Sequence, residues 1–220
     1  MIKAVIFDMD GVLVESENAH IEAEKQTLLK YGVKISAEEL HTYTGTTARF
    51  MFTELIKKNK LNTTFEKIFN EKEEILFRLL KEEMRPTKGI IELLRKLKQE
   101  RVKLAIASSS HRRLIEFVLE QLNIALFFAS VISSEDVANS KPDPEIFLKS
   151  ASKLGVNPAD CVVIEDSKLG LEAARRARMK CVGYRNPSSG NQDLSRADVV
   201  IDDFSKLSIR ELLSISDSAA

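Results

Sequence analysis

"AVIFDMDGVLVESE", residues 4–17, decides how the chain is read. Four apolar or aromatic residues run without polar interruption into Asp8, and Asp10 and Gly11 follow at once. A short unbroken apolar run is the pattern of a strand buried on both faces, which belongs to a parallel sheet covered by helices. Two carboxylates at its C-terminal end, then a residue that lets the backbone turn sharply, suit a binding site at a strand end.

Similar runs recur: "KAVIFD" (3–8), "VKLAIASS" (102–109), "ASVISS" (129–134), "CVVIED" (161–166), "KCVGY" (180–184) and "ADVVID" (197–202). The segments 111–122, 144–154, 167–178 and 205–213 carry apolar residues at helical spacing, for example Leu114, Phe117 and Val118. Strand alternating with helix predicts a doubly wound, Rossmann-like α/β fold with a parallel sheet.

Between Glu15 and Arg85 the alternation stops, and helix signals follow one another. "SENAHIEAEKQTLLKYG" opens at Ser16 and closes on Gly32, while "SAEE" (36–39) and "TTFE" (63–66) fit capping boxes. A last helix should run to about Met84 and stop before Pro86. The expectation is an all-helical insert over residues 15–85, a lid on an α/β core made of residues 1–14 and 86–220. Leu28, Leu40, Phe52, Leu55, Phe69, Leu76 and Leu79 would form its own small core. The polar tail "SISDSAA" should fray.

The totals exclude several classes. Lys and Arg number 33 and so do Asp and Glu, which gives no basic surplus for a nucleic-acid partner. No uncharged apolar stretch approaches the ~18 residues of a membrane span. The N-terminus enters a strand directly and has no leader pattern. Cys161 and Cys181 each head an apolar run and read as small buried thiols, not a disulfide framework. A soluble, cytoplasmic monomer is expected.

In open parallel sheets, ligands bind beyond the carboxyl ends of the strands. There the chain places Asp8 and Asp10, then Ser108, Ser109 and Ser110, then Lys141, then Glu165, Asp166 and Ser167. Four gathered carboxylates repel one another unless a cation sits among them, and an oxygen-only set with no His or Cys argues for Mg²⁺. One ammonium with hydroxyls at a helix start suits a phosphate dianion, and one of the serines should also cap that helix. The set reads as a phosphoryl-transfer site with a carboxylate nucleophile.

"DMDGVLVES", "IASSS", "SKPDPEIF" and "IEDSKLGLEAA" resemble, in order, the four motifs of the haloacid dehalogenase-like superfamily. Spacings of 100, 33 and 24 residues separate Asp8, Ser108, Lys141 and Glu165. The helical insert sits where the subgroup with a helical cap carries it, and the β-phosphoglucomutase and phosphoglycolate phosphatase-like hydrolases are the nearest members. The resemblance implies that Asp8 attacks phosphorus and becomes an aspartyl-phosphate. It implies that Asp10 protonates the leaving alcohol and later deprotonates water. Ser108, Ser109 and Lys141 would hold the phosphoryl oxygens. Mg²⁺ would be held by Asp8, the Asp10 carbonyl and Asp166, with Glu165 either in the metal's shell or holding Lys141. Asp10 favours phosphate esters, because the dehalogenases and P-type ATPases of the superfamily lack Asp there.

In the insert, His20 resembles a substrate-facing histidine of the mutase subgroup. "GTTARF" (45–50) resembles the specificity loop, with Gly45 making the bend and Arg49 a candidate clamp for a second anionic group, one residue later than the mutase pattern. His111 and Arg112 are candidates for the substrate rim. Where relatives commonly have Gly before the Met that ends the helix, this chain has Arg178. The implied activity is Mg²⁺-dependent hydrolysis of a small phosphorylated metabolite, of sugar phosphate or phosphoglycolate type. A phosphosugar mutase is the alternative. A response-regulator receiver would order these residues differently along the chain, and a silent binding module would not need the intact set.

Overall fold

The computed structural model describes residues 2–43 and 46–215. Gly45 and the last five residues of the tail lie outside them.

Six strands form one parallel sheet: β1 (Ala4–Phe7), β2 (Lys103–Ala107), β3 (Ser130–Ile132), β4 (Cys161–Glu165), β5 (Lys180–Tyr184) and β6 (Val199–Ile201). Their order is β3-β2-β1-β4-β5-β6, so the first strand is central and the chain winds outward on both sides of it. The register pairs Phe7 with Ile106 on one side and with Ile164 on the other. One residue further on, Asp8 stands level with Ala107 and Glu165. Strands lie ~4.8 Å apart, so the residues just beyond these three strand ends fall within side-chain reach of one another.

Both faces of the sheet are covered, which is why the runs do not alternate with polar residues. Val5, Phe7, Ile106, Val162 and Ile164 face one core, shared with α5 (Ile90–Gln99) and α6 (Arg112–Gln121). Ala4, Ile6, Ala105, Cys161, Val163 and Cys181 face the other, under α7 (Glu145–Leu154) and α8 (Lys168–Arg176). Both thiols are free and buried.

The segment between β1 and α5 is helical: α1 (Glu17–Lys30), α2 (Ala37–His41), α3 (Ala48–Asn59) and α4 (Phe65–Glu83). Leu28, Leu40, Met51, Phe52, Leu55 and Ile68 form its separate core, with Phe69 packed against it. Leu76 and Leu79, expected in that core, instead pack with the sheet's core, beside Ile75 and Leu80. At ~1.5 Å per residue, the 19 residues of α4 reach roughly 28 Å, far enough to serve both cores from one helix. The chain leaves and re-enters the α/β part through two adjacent segments. There the Glu15 N–H donates to Arg85 O (3.0 Å) and the Thr87 N–H to Leu13 O (3.2 Å).

Two helix ends differ from expectation. The cap of α4 is Thr64, whose hydroxyl accepts from the Lys67 N–H at 3.3 Å; the frame expected at 63–66 is one residue early. The helix expected over 205–213 is a single 3₁₀ turn at Phe204–Lys206 and then α9 (Ile209–Ser214). Ser208 starts α9 by accepting from the Glu211 N–H at 3.2 Å. After α8, Arg178 adopts φ 57°, the left-handed conformation that Gly takes without strain. Among the described residues, no helix is long and apolar enough to cross a membrane.

Candidate active site

Lys141 is buried and its ammonium meets three acceptors: Asp8 Oδ1 at 2.6 Å, Glu165 Oε1 at 2.6 Å and the Ala107 carbonyl at 3.1 Å. All three stand at the ends of β1, β2 and β4, where the register aligns them. The second Glu165 oxygen accepts from the Asp166 N–H (3.0 Å), the Ser167 N–H (2.9 Å) and the Ser167 hydroxyl (2.9 Å). Glu165 therefore lies over the first turn of α8. A Cβ at position 170 would come within 1.9 Å of the Glu165 carboxyl carbon, so a larger residue there must push that carboxylate off its place. Of the two uses open to Glu165, the described arrangement shows it holding Lys141 with one oxygen and the first turn of α8 with the other.

Asp10 accepts three hydrogen bonds: from the Ser16 hydroxyl (2.7 Å) and His20 Nε2 (3.2 Å) on Oδ1, and from the Ser110 hydroxyl (2.7 Å) on Oδ2. Burial alone would raise its carboxyl, but the bonds from His20, Ser16 and Ser110 outweigh this and hold it well below the usual carboxylate range. Asp8 is the opposite case. Burial pushes it well above its usual range; Lys141 opposes that, and Glu165, Asp166 and Asp10 add to it. Asp166 is raised by burial and then by Glu165 and Glu17, while the Ser189 hydroxyl and Asn186 amide donate to its Oδ2. Gly11 takes φ 77°, and a Cβ there would lie 2.2 Å from that same oxygen.

Asp8 Oδ2 and Asp166 Oδ1 receive no hydrogen bond from the described residues. Among the described residues no three His, Cys, Asp or Glu side chains are grouped as a ready metal site. Two buried carboxylates with raised proton affinity, oxygen donors only, fit a hard divalent cation that keeps several waters, and its charge would relieve their mutual repulsion.

A cavity of about 650 Å³ opens over this floor and is roofed by the helical insert. Ser108 is buried and its Oγ accepts from the Ser110 N–H at 3.0 Å; Ser109 lines the cavity. None of the three serines caps α6. His111 does, accepting from the Leu114 N–H on Nδ1 (3.4 Å) while its Nε2 meets Glu73 on α4. Arg112 points away and pairs with Asp136 at 2.6 Å, so it is not a rim residue. Arg49 sits at the mouth, 66% exposed, 3.5 Å from Glu66 and stacked 4.1 Å over the Phe65 ring.

Lys72 and Glu73 had no signal in the sequence, yet they tie the insert to the floor. Buried Lys72 meets His20 Nδ1 at 3.1 Å and Glu73 at 3.0 Å. An ammonium can only donate, so His20 accepts on Nδ1 and presents an Nε2–H to Asp10.

The chain's residues 5–184 match the family model described as haloacid dehalogenase-like hydrolase. The chain belongs to this family. Among relatives of the haloacid dehalogenase-like hydrolases, a phosphorylated carbohydrates phosphatase of Thermotoga maritima is 37% identical over 80% of this chain and 82% of its own length. Hexitol phosphatase B of Escherichia coli is 32% identical over 96% of this chain and 97% of its own. Among solved structures, β-phosphoglucomutase of Clostridium difficile superposes with a TM-score of 0.85 at 28% identity, covering 98% of this chain and 97% of that one. Within the haloacid dehalogenase-like fold, the four motif segments quoted above supply the strand-end residues described here.

Proposed function

We propose that the chain is a Mg²⁺-dependent phosphatase of small phosphorylated carbohydrates that works through an aspartyl-phosphate on Asp8. The observation that carries this is Lys141 bridging Asp8 and Glu165 beneath a roofed cavity, with Asp10 beside them. Relatives that act on phosphorylated carbohydrates and on hexitol phosphates support the substrate class.

Asp8 and Asp166, with the Asp10 carbonyl, would hold the Mg²⁺, whose charge neutralises phosphoryl oxygens so that an anion can approach a carboxylate. Lys141 and Ser108 hold the remaining phosphoryl oxygens, with Ser109 at the cavity wall. The Asp8 oxygen that Lys141 leaves free attacks phosphorus in line, the ester oxygen departs, and Asp10 gives that oxygen a proton. In the described arrangement Asp10 is loaded with donors and is the base form, suited to take a proton from water in the second step. To serve as the acid in the first step, under the closed lid, it must carry a proton in place of one of those donors; the lid then opens to release the alcohol and admit water. We read residues 15–85 as that lid, turning on the paired segments at 13–15 and 85–87, over a core of residues 1–14 and 86–220.

The test is phosphate release from a sugar phosphate and from p-nitrophenyl phosphate with Mg²⁺. The wild-type protein should turn over both, and Asp8→Asn should lose activity by about three orders of magnitude or more. An Asp8→Asn protein as active as wild type overturns the mechanism. A phosphosugar mutase is the second reading, favoured by the 0.85 TM-score to β-phosphoglucomutase. Conversion of β-glucose 1-phosphate to glucose 6-phosphate without net phosphate release would decide for it.

A further inference from the structure

The cavity side of α1 carries Glu17, His20 and Glu24, three and then four residues apart, so the three stack along one side of the helix. His20 is committed on both nitrogens, to Asp10 and to Lys72. Glu17 and Glu24 make no hydrogen bond or ion pair with a described residue. Lys72, the cation whose field reaches both, already serves His20 and Glu73. Arg49, the other permanent cation on this side, is turned to Phe65 and Glu66 at the mouth. Lys141 is on the floor, between Asp8 and Glu165.

The cavity thus has two unlike ends. The floor has the ammonium and the metal-fitting carboxylates. The α1 wall offers unmet acceptors and no free positive charge. Burial, then Asp10, Glu24 and Asp8, push Glu17 up to about 8, and burial raises Glu24 as well. In either protonation state neither residue supplies a cation to an incoming anion, and both can bond hydroxyls.

We propose that Glu17 and Glu24 select the leaving alcohol: the cavity takes a polyol bearing one phosphoryl group, whose hydroxyls bond the two carboxyl groups, and rejects the same skeleton bearing a second phosphate. This rests on the phosphatase reading of the site and deepens it. Hydroxyls satisfy the wall's carboxyl groups, whereas a second dianion would meet carboxyl groups that offer it no cation, with Lys72 already serving His20 and Glu73.

Equilibrium binding tests this without needing turnover. The full-length Asp8→Asn protein is titrated by calorimetry, with Mg²⁺ present, against glucitol 6-phosphate and glucitol 1,6-bisphosphate. The bisphosphate should bind at least about tenfold more weakly. Adding Glu24→Gln should narrow that ratio, and adding Glu24→Lys should reverse it, with circular dichroism showing each variant folded. Equal or tighter binding of the bisphosphate with the native wall overturns the proposal, as does a ratio that Glu17→Gln, Glu24→Gln and Glu24→Lys all leave unchanged. Failure of wild-type protein to release phosphate from p-nitrophenyl phosphate would count against the phosphatase reading and leave this ratio readable.

Discussion

Replacing Lys141 with Met removes one charge and keeps most of the volume. The side chain is 2% exposed, and its ammonium holds two carboxylates at 2.6 Å each, Asp8 and Glu165, which are themselves 11% and 1% exposed. Burial alone would lower the Lys141 pKa, but Asp8 and Glu165 raise it above its usual value, so the stability tied to the Lys141 proton is full below the unfolded lysine's range and is lost only as pH rises beyond it. Breaking a buried pair by removing one partner costs about 3–5 kcal/mol, because the other charge is left uncompensated. For a chain of this length that is a fall in Tm of about 6–20 °C. The pH dependence has a definite sign. In Lys141→Met, Asp8 loses the cation that opposes its burial and its folded-state pKa stays above its unfolded one, so folding is least penalised when Asp8 is protonated. The penalty then grows as pH rises through the unfolded carboxylate range toward the folded value. Thermal melts at pH 5 and pH 8 should show a wider gap from wild type at pH 8, and added Mg²⁺ should narrow it. Phosphate release at pH 7 should fall by about two orders of magnitude or more, since a phosphoryl contact is gone and Asp8 has lost its counter-ion. A variant melting within a degree of wild type at pH 8 would refute the account of Lys141 as the counter-ion of the floor.

Glu73→Gln should destabilise the protein at pH 7 by about 2–3 kcal/mol. Burial opposes ionisation of Glu73, but His111 and Lys72 bring its pKa down to about 2. The stability it lends is therefore full above the unfolded value and is lost as pH falls toward 2, so denaturant melts of wild type and variant should converge on acidification. Arg178→Gly should raise stability by about 1 kcal/mol, because φ 57° costs an L-residue what Gly does not pay; an unchanged or lower midpoint in urea would count against strain at that helix end.

The fold was legible because the strands are buried on both faces. A run such as "CVVIED" has no polar alternation to confuse it with an exposed strand, and the acids fall where the run ends. The floor was legible for the same reason: the register carries Asp8, Ala107 and Glu165 to one level, with Ser108 next along, so order along the chain becomes proximity in space. Helix ends were less so. Thr63 and Thr64 both offer a hydroxyl, and only the backbone decides which one caps. Ser208 breaks a segment whose apolar spacing alone runs on from Phe204 to Leu212.

The roof of the cavity was the least legible part, and the reason is physical. Lys72 and Glu73 are adjacent on a 19-residue helix rich in Lys and Glu, where such pairs ordinarily face water. What buries them is the docking of α4 against His20 on α1 and His111 at the head of α6, contacts 52 and 38 residues apart in sequence. Helical periodicity reports which side of a helix is apolar. It cannot report that a polar side is covered by another part of the chain. Glu17 and Glu24 are the exception, since their spacing around His20 puts all three on one side of α1 before any tertiary contact is known. A histidine already suspected of facing the ligand therefore identified its carboxylate neighbours three residues before and four residues after it as ligand-facing too. The carboxyl groups of the pocket wall are written in "ESENAHIEAE", where helical spacing puts Glu17 and Glu24 on the side of α1 that carries His20.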